Sequence, residues 1–261
     1  MLAALVVLVA LAWETEEAAP APVAGRCTQP GSDQTQTTAQ AANAATIAAV
    51  ARSRGLAPRA TVIALATAQQ ESRLRNLAYG DRDSLGLFQQ RPSQGWGSQA
   101  QVQDPVYAAG KFFDGLVRVA GWETGRLTEV AQRVQRSGFP EAYQQWEPMA
   151  TELAAALDAA EPGRLSCTFT RINAAGPLAD RTTAVAGVAT AELGTPVSAD
   201  PAGTITIDPA AGWPAATWAV ANAERLQLTE VVRTGWRWTP DGGWVADATT
   251  ADAPLTLRLA G

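Results

Sequence analysis

Ala68-Gln69-Gln70-Glu71-Ser72-Arg73-Leu74 and, shortly after it, Ser84-Leu85-Gly86-Leu87-Phe88-Gln89-Gln90-Arg91-Pro92 decide how the first half of this chain is read. The first segment closes a stretch that opens at Pro58, a residue suited to a first helical turn, and that has no interior Gly or Pro from Ala60 to Leu74. On a helix, Ile63, Thr67, Gln70, Glu71 and Leu74 share one face, whereas Arg73 and Arg75 fall elsewhere. Glu71 therefore looks toward the packed side or its rim. Burial disfavours an ionised carboxyl and raises its pKa, the property a general acid needs near neutral pH. The plain alternative is a solvated Glu at a helix end.

The pair of segments resembles the lysozyme-like soluble lytic transglycosylase family. There a Glu-Ser pair at a helix end precedes a Gly-Leu-(aromatic or Met)-Gln turn, matched here by Glu71-Ser72 and Gly86-Leu87-Phe88-Gln89. Arg91-Pro92 stands where the family often has Met-Pro, and the likeness covers roughly residues 40 to 150. The resemblance implies a mainly helical domain whose cleft takes peptidoglycan glycan strands, with Glu71 as the single catalytic acid and base. In such enzymes the Glu protonates the glycosidic oxygen and then removes the sugar's own 6-hydroxyl proton, leaving a 1,6-anhydro product. Most glycosidases instead use two carboxylates. For a hydrolytic alternative the candidates are Asp81 and Asp83, whose other reading is turn capping of backbone amides. A third reading is a silent wall-binding or scaffold protein that keeps the shape without the chemistry.

The loop from Gln89 to Ser98 is rich in amides and carries one aromatic, which suits sugar binding. Ser84, Gln89, Gln90 and Trp96 are the expected substrate contacts, with Trp96 alternatively a packing anchor. Asp104-Pro105 opens a second helical pattern in which Val106, Ala109, Phe112, Phe113, Leu116 and Val119 recur as core positions. Farther on, where the family carries an Ala-Tyr-Asn-Ala-Gly segment with its aromatic near the catalytic Glu, residues 130–137 hold neither Tyr nor Asn. Gln135 or Ser137 is left to supply the polar group. Tyr143, Trp146 and a helical stretch from Met149 to Leu157 complete this part.

The chain has 261 residues, a net charge of −5 and no histidine, and its modest negative charge argues against nucleic acid as a partner. Without histidine, Ser-His-Asp and Cys-His arrangements are impossible. No glycine spacing matches a phosphate-binding loop, and no cofactor is expected. Residues 2–13 form an apolar run followed by Glu14-Thr15-Glu16-Glu17 and a Pro/Ala stretch to Gly25. At about 1.5 Å per residue it reaches roughly 18 Å, short of a bilayer core of about 30 Å. It reads as a signal peptide or anchor remnant over residues 1–25, and hence an exported, wall-located or membrane-anchored protein. In an exported chain the two cysteines, Cys27 and Cys167, are expected to pair.

A boundary is expected near Glu161-Pro162-Gly163, giving a lysozyme-like domain over 26–161 and a smaller α/β domain over 162–261, α+β overall. In the second part a helix is predicted from Pro214 to Arg225. Strands are predicted at Leu228–Arg233, Trp236–Thr239, Trp244–Ala246 and Leu255–Leu259, with a hairpin turn at Pro240-Asp241-Gly242-Gly243. Gly212-Trp213, Trp218 to Ala223, Trp236-Arg237-Trp238 and Gly243-Trp244 resemble the C-terminal domain of secreted actinobacterial wall proteins, similar to the zinc D,D-peptidase fold. Asp200, Gly203 and Asp208 only faintly match that fold's first metal segment, and its histidine ligands are missing, so no metal is expected. The resemblance implies a non-catalytic domain that holds wall peptide or a partner protein. Trp213, Trp218, Trp236, Trp238 and Trp244 either line that site or, more simply, form a small aromatic core.

Overall fold

The computed structural model describes residues 25–170 and 174–261. The apolar run and acidic stretch read as a leader lie outside the described residues. Among the described residues no helix is long and apolar enough to cross a membrane.

Two short strands, β1 (Arg26–Thr28) and β2 (Thr35–Thr37), lead into α1 (Thr38–Ser53). A capping box fixes the start of α1: Thr37 Oγ1 accepts from the Gln40 N–H while the Gln40 side chain accepts from the Thr37 N–H. Helices α2 (Pro58–Ser72), α3 (Gln99–Val102), α4 (Pro105–Leu116), α5 (Leu127–Gln135) and α6 (Glu147–Leu157) follow. The pattern predicted to run on to Val119 stops at Leu116, but Asp104 does cap α4, accepting from Val106 and Tyr107 N–H. Strand β3 (Ser166–Thr168) then returns to β1, closing a three-stranded sheet of order β2-β1-β3. Cys27 and Cys167 face each other across that pairing and form the expected disulfide, both fully buried. It closes a loop of 140 residues, worth about 5 kcal/mol in the chain-entropy picture.

The remaining elements are α7 (Leu178–Leu193), β4 (Val197–Asp200), β5 (Thr204–Ile207), α8 (Gly212–Ala221), α9 (Ala223–Leu226), β6 (Leu228–Arg233), β7 (Trp236–Thr239), β8 (Gly243–Ala246) and β9 (Leu255–Leu259). All six strands form one antiparallel sheet of order β4-β5-β9-β6-β7-β8. The single helix predicted from Pro214 to Arg225 is two. Asn222, fully buried, donates its amide to the Trp218 carbonyl and accepts from Arg225, which breaks the helix between α8 and α9.

The architecture is thus α+β, a helical region followed by a separate sheet region. The two share one continuous buried cluster. Its middle is α1, whose Ala41, Ala44, Ala45, Ile47, Ala48 and Ala51 are all buried, as expected of a helix apolar all round. It packs against α2 and α4 of the helical region and against α7 and α8 of the other. A buried carboxylate fastens the junction. Glu192, near the end of α7 and 3% exposed, accepts from Thr46 Oγ1 of α1 (2.7 Å), Trp218 Nε1 of α8 (2.7 Å) and Arg225 of α9 (2.8 Å). Two more tryptophans grip the disulfide-bearing segment: Trp238 Nε1 donates to Cys167 O and Trp244 Nε1 to Leu165 O.

Candidate active site

Helix α2 ends one residue after Glu71, and the chain there turns through two successive left-handed residues, Arg73 and Leu74, both at φ 56°. Neither is glycine, so the turn is strained and must be held from outside. Side chains of α1 hold it. Gln40 Nε2 donates to the Arg73 carbonyl (2.9 Å) and Asn43 Nδ2 to that of Leu74 (2.8 Å), while the Leu74 side chain is buried. These contacts fix where Glu71 sits, at the carbonyl end of a helix, where partial negative charge disfavours an anion.

The Gly86 turn packs against that end. Leu85 and Gln90 exchange both backbone hydrogen bonds, and Gly86 N–H donates to Leu77 O at 2.8 Å. Gly86 has φ 77°, and a Cβ there would stand 2.2 Å from Val102 O, so no other residue fits. Leu87 and Phe88 are wholly buried, Phe88 stacking on Phe112 at 4.7 Å between ring centroids. Ser72 Oγ donates to Leu87 O (2.8 Å), and Gln135 Nε2 from α5 donates to Phe88 O (2.8 Å). The Glu-Ser pair and the Gly-Leu-Phe-Gln turn are therefore physically joined.

Glu71 itself is half-buried, and Tyr143 Oη donates to its Oε1 at 2.6 Å. Burial raises the carboxyl's pKa above its ordinary value, and the Tyr143 hydroxyl and then the Gln135 amide pull the other way without cancelling it. Tyr143 is held far above its ordinary range by its own burial and by the Glu71 charge, so its hydroxyl keeps its proton and stays a donor. The neighbouring Gln70 Oε1 accepts from Trp146 Nε1 at 2.7 Å. The end of α2 is thus pinned to the 143–146 turn by two adjacent pairs. Sequence reasoning sought the aromatic partner within residues 130–137 and missed it. Tyr143 and Trp146, three apart in front of Pro148, were the available signal.

Three of the four expected loop contacts, Gln89, Gln90 and Trp96, line one cavity of ≈ 720 Å³ together with Gln135, whereas Ser137 is not in its lining. Ser84 does not line it. It is 6% exposed and sits in the preceding turn, its N–H donating to Asp81 O. Gln89 and Gln90 also have structural duties. Gln89 Nε2 donates to the carbonyls of Tyr79 and Gly86, while Gln90, 1% exposed, donates to Ala108 O of α4. Trp96 packs partly on the core, and its carbonyl accepts from Tyr107 Oη. The cavity reaches Gln135 but its lining does not include Glu71.

Of the two aspartates considered for water activation, Asp83 is fully engaged: Oδ1 accepts from Arg91 Nε (2.8 Å) and Ser93 Oγ (2.9 Å), Oδ2 from Ser93 N–H (2.7 Å). The Ser93 amide, Arg91 and the Ser93 hydroxyl hold it far below the usual carboxylate range, leaving a poor base. Asp81 is exposed beside Arg82.

In the sheet region Trp218 and Trp238 are fully buried, whereas Trp213, Trp236 and Trp244 are half-buried, with Trp213 and Trp244 packed edge to face. Asp200 and Asp208 each accept from a backbone amide two residues on. Among the described residues no three Cys, Asp or Glu side chains gather where they could hold a metal ion.

No protein-family model matches the chain, and no curated protein sequence matches it.

Proposed function

We propose that the helical region is a peptidoglycan lytic transglycosylase with Glu71 as its one acid and base. The observation that carries this reading is a half-buried carboxyl, raised above its ordinary pKa, at the end of a helix fastened to the Gly86 turn. Protonated Glu71 gives its proton to the oxygen joining N-acetylmuramic acid to N-acetylglucosamine, and the bonding pair leaves with that oxygen. The resulting carboxylate takes the proton of the muramic 6-hydroxyl as that oxygen closes on C1, which restores Glu71 and forms the 1,6-anhydro ring. Tyr143, donating to Oε1, orients the carboxyl and steadies its anionic form between the two proton transfers. Such a protein is exported and works at the wall. The sheet region holds wall peptide or a partner protein beside it.

The test is incubation of purified protein with peptidoglycan and analysis of the soluble products. Release of 1,6-anhydro muropeptides that stops in Glu71→Gln is the expected result. Equal cleavage by the Gln variant overturns the assignment, and products with a reducing end move it to a hydrolase. One observation favours a second reading, a wall-binding protein without chemistry: the cavity's lining stops at Gln135, short of Glu71. Under that reading both the native protein and Glu71→Gln bind glycan and neither cleaves it.

A further inference from the structure

The cavity beside Gln135 is basic in an acidic protein. Lys111, Arg118, Arg133 and Arg136 line it, and none makes an ion pair among the described residues. Arg91 lines it too but is committed to Asp83, and the one acidic lining residue, Asp114, is committed to Arg54. Four cations without an ion pair, of which Lys111 stands 5.8 Å from the Tyr107 ring centroid, thus gather in one cavity while the whole chain carries a net charge of −5. Lys111 is also the only lysine in the sequence.

Helix ends explain part of this placement. Arg133 and Arg136 close α5 and Arg118 follows the end of α4, where cations stabilise helix carbonyls. Lys111 lies in the middle of α4, where that reason is lacking. A neutral N-acetylhexosamine chain has no use for four cations either, since the amides of Gln89, Gln94 and Gln135 can meet its hydroxyl and acetamido groups. In a peptidoglycan strand the negative charge resides chiefly in carboxylates on the lactyl-linked peptides. Arg side chains match carboxylates in two-point geometry. Phosphate suits the cavity less well. Phosphate sites use helix N-termini, whereas the carbonyl ends of α4 and α5 lie at this one, and their partial negative charge weighs more against a dianion.

Resting on the glycan-cleaving reading, we infer that Lys111, Arg118, Arg133 and Arg136 select peptide-bearing glycan by binding its free carboxylates. The cavity is then the specificity site for substrate charge, and Gln135 links it to Glu71.

Binding is measured separately from cleavage by using the full-length Glu71→Gln protein. Its affinity for a peptide-bearing disaccharide fragment with free carboxylates is compared by calorimetry with that for the same fragment amidated. The free acid is expected to bind more tightly, by roughly 2- to 5-fold for each exposed charge pair, and to lose that advantage as salt rises. Adding Arg118→Gln, Arg133→Gln and Arg136→Gln together should equalise the two fragments, while Arg164→Gln, at an exposed position outside the cavity lining, should change nothing. Because Lys111 is the only lysine, an amine-reactive ester reports its occupancy by mass: the free-acid fragment should protect it. Equal affinity for both fragments, failure of the free-acid fragment to bind, or full labelling of Lys111 under saturating free-acid ligand overturns the inference. Native protein that cleaves free and amidated glycan alike leaves the transglycosylase standing and removes only the charge selection. Discrimination between the fragments without any cleavage by the native protein does the reverse.

Discussion

Glu71 in the helical region and Glu192 at the junction with the sheet region are both carboxyls near a helix C-terminus, and they are treated in opposite ways. Glu192 is 3% exposed and accepts from a hydroxyl, an indole and a guanidinium, drawn from three other helices. Glu71 is half-buried and, among the described residues, accepts from Tyr143 at 2.6 Å, with the Gln135 amide adding a weaker pull. Burial raises its pKa because so little offsets the lost hydration. A carboxylate saturated by donors is a strut. One left short of them holds its proton to higher pH.

The largest way to break this contrast is Glu71→Gln, which should lower glycan cleavage by about 10²- to 10⁴-fold, the usual contribution of a general acid. Substrate binding should survive. Muropeptide release per folded molecule checks it, and a loss under tenfold would place Glu71 among the bystanders. Next, Glu192→Ala should lower unfolding free energy by about 3 kcal/mol, since it strands the Thr46 and Trp218 donors and a half-exposed Arg225. Urea denaturation measures the loss, and cleavage at low temperature by the folded fraction should be near normal. If Glu192→Ala instead abolished cleavage with stability intact, the two carboxyls would have been assigned the wrong way round.

A finer test is Tyr143→Phe. Its hydrogen bond lowers the Glu71 pKa, so removing it should raise that pKa further. Cleavage needs the protonated acid and declines as pH climbs through this pKa, so the decline should move to higher pH in the Phe variant. An unmoved limb, or one moved downward, would count against Tyr143 as the partner.

The smallest effect concerns stability. Because the folded pKa of Glu71 lies above its ordinary value of 4.5, the fold binds this proton more tightly than the unfolded chain does. That stabilisation is complete below about pH 4.5 and is lost as pH rises through the folded value. Glu71→Gln, which cannot ionise, should therefore melt slightly higher than the native protein at pH 7 and equally at low pH. A native protein that melts higher at pH 7 would mean that the Glu71 carboxylate is stabilised by the fold.

Much of the frame was legible without coordinates. Pro58 and Pro105 announce helix starts through proline's fixed φ, and the aromatic and β-branched strands from Leu228 onward, with a Gly-rich turn, announce a hairpin; the helix expected from Met149 begins two residues earlier, at Glu147. Helix α1 and helix α7 were not read. Their Ala, Thr and Gly give little contrast between one face and the other, so periodicity has nothing to report. The break at Asn222 escaped because a polar residue inside a helical pattern declares its bond to the i−4 carbonyl only once it is buried. In the site, the Gly86 turn and Glu71 were legible because sterics and helix position act locally. Tyr143, 72 residues away, was not. Nor were the duties of Gln90 and Ser84, which look like free polar residues until the packing buries them.

By itself, then, the sequence determined the α+β class, the only possible disulfide, the absence of histidine chemistry and the position of one carboxyl at a helix end. Each follows from residue type and from spacings within a few turns. Tertiary structure alone decided which carboxyl is saturated and which is left with fewer donors, and that four cations without an ion pair among the described residues share one cavity. Solvation and charge pairing depend on what lies opposite in space, and residues far apart in the chain supply it.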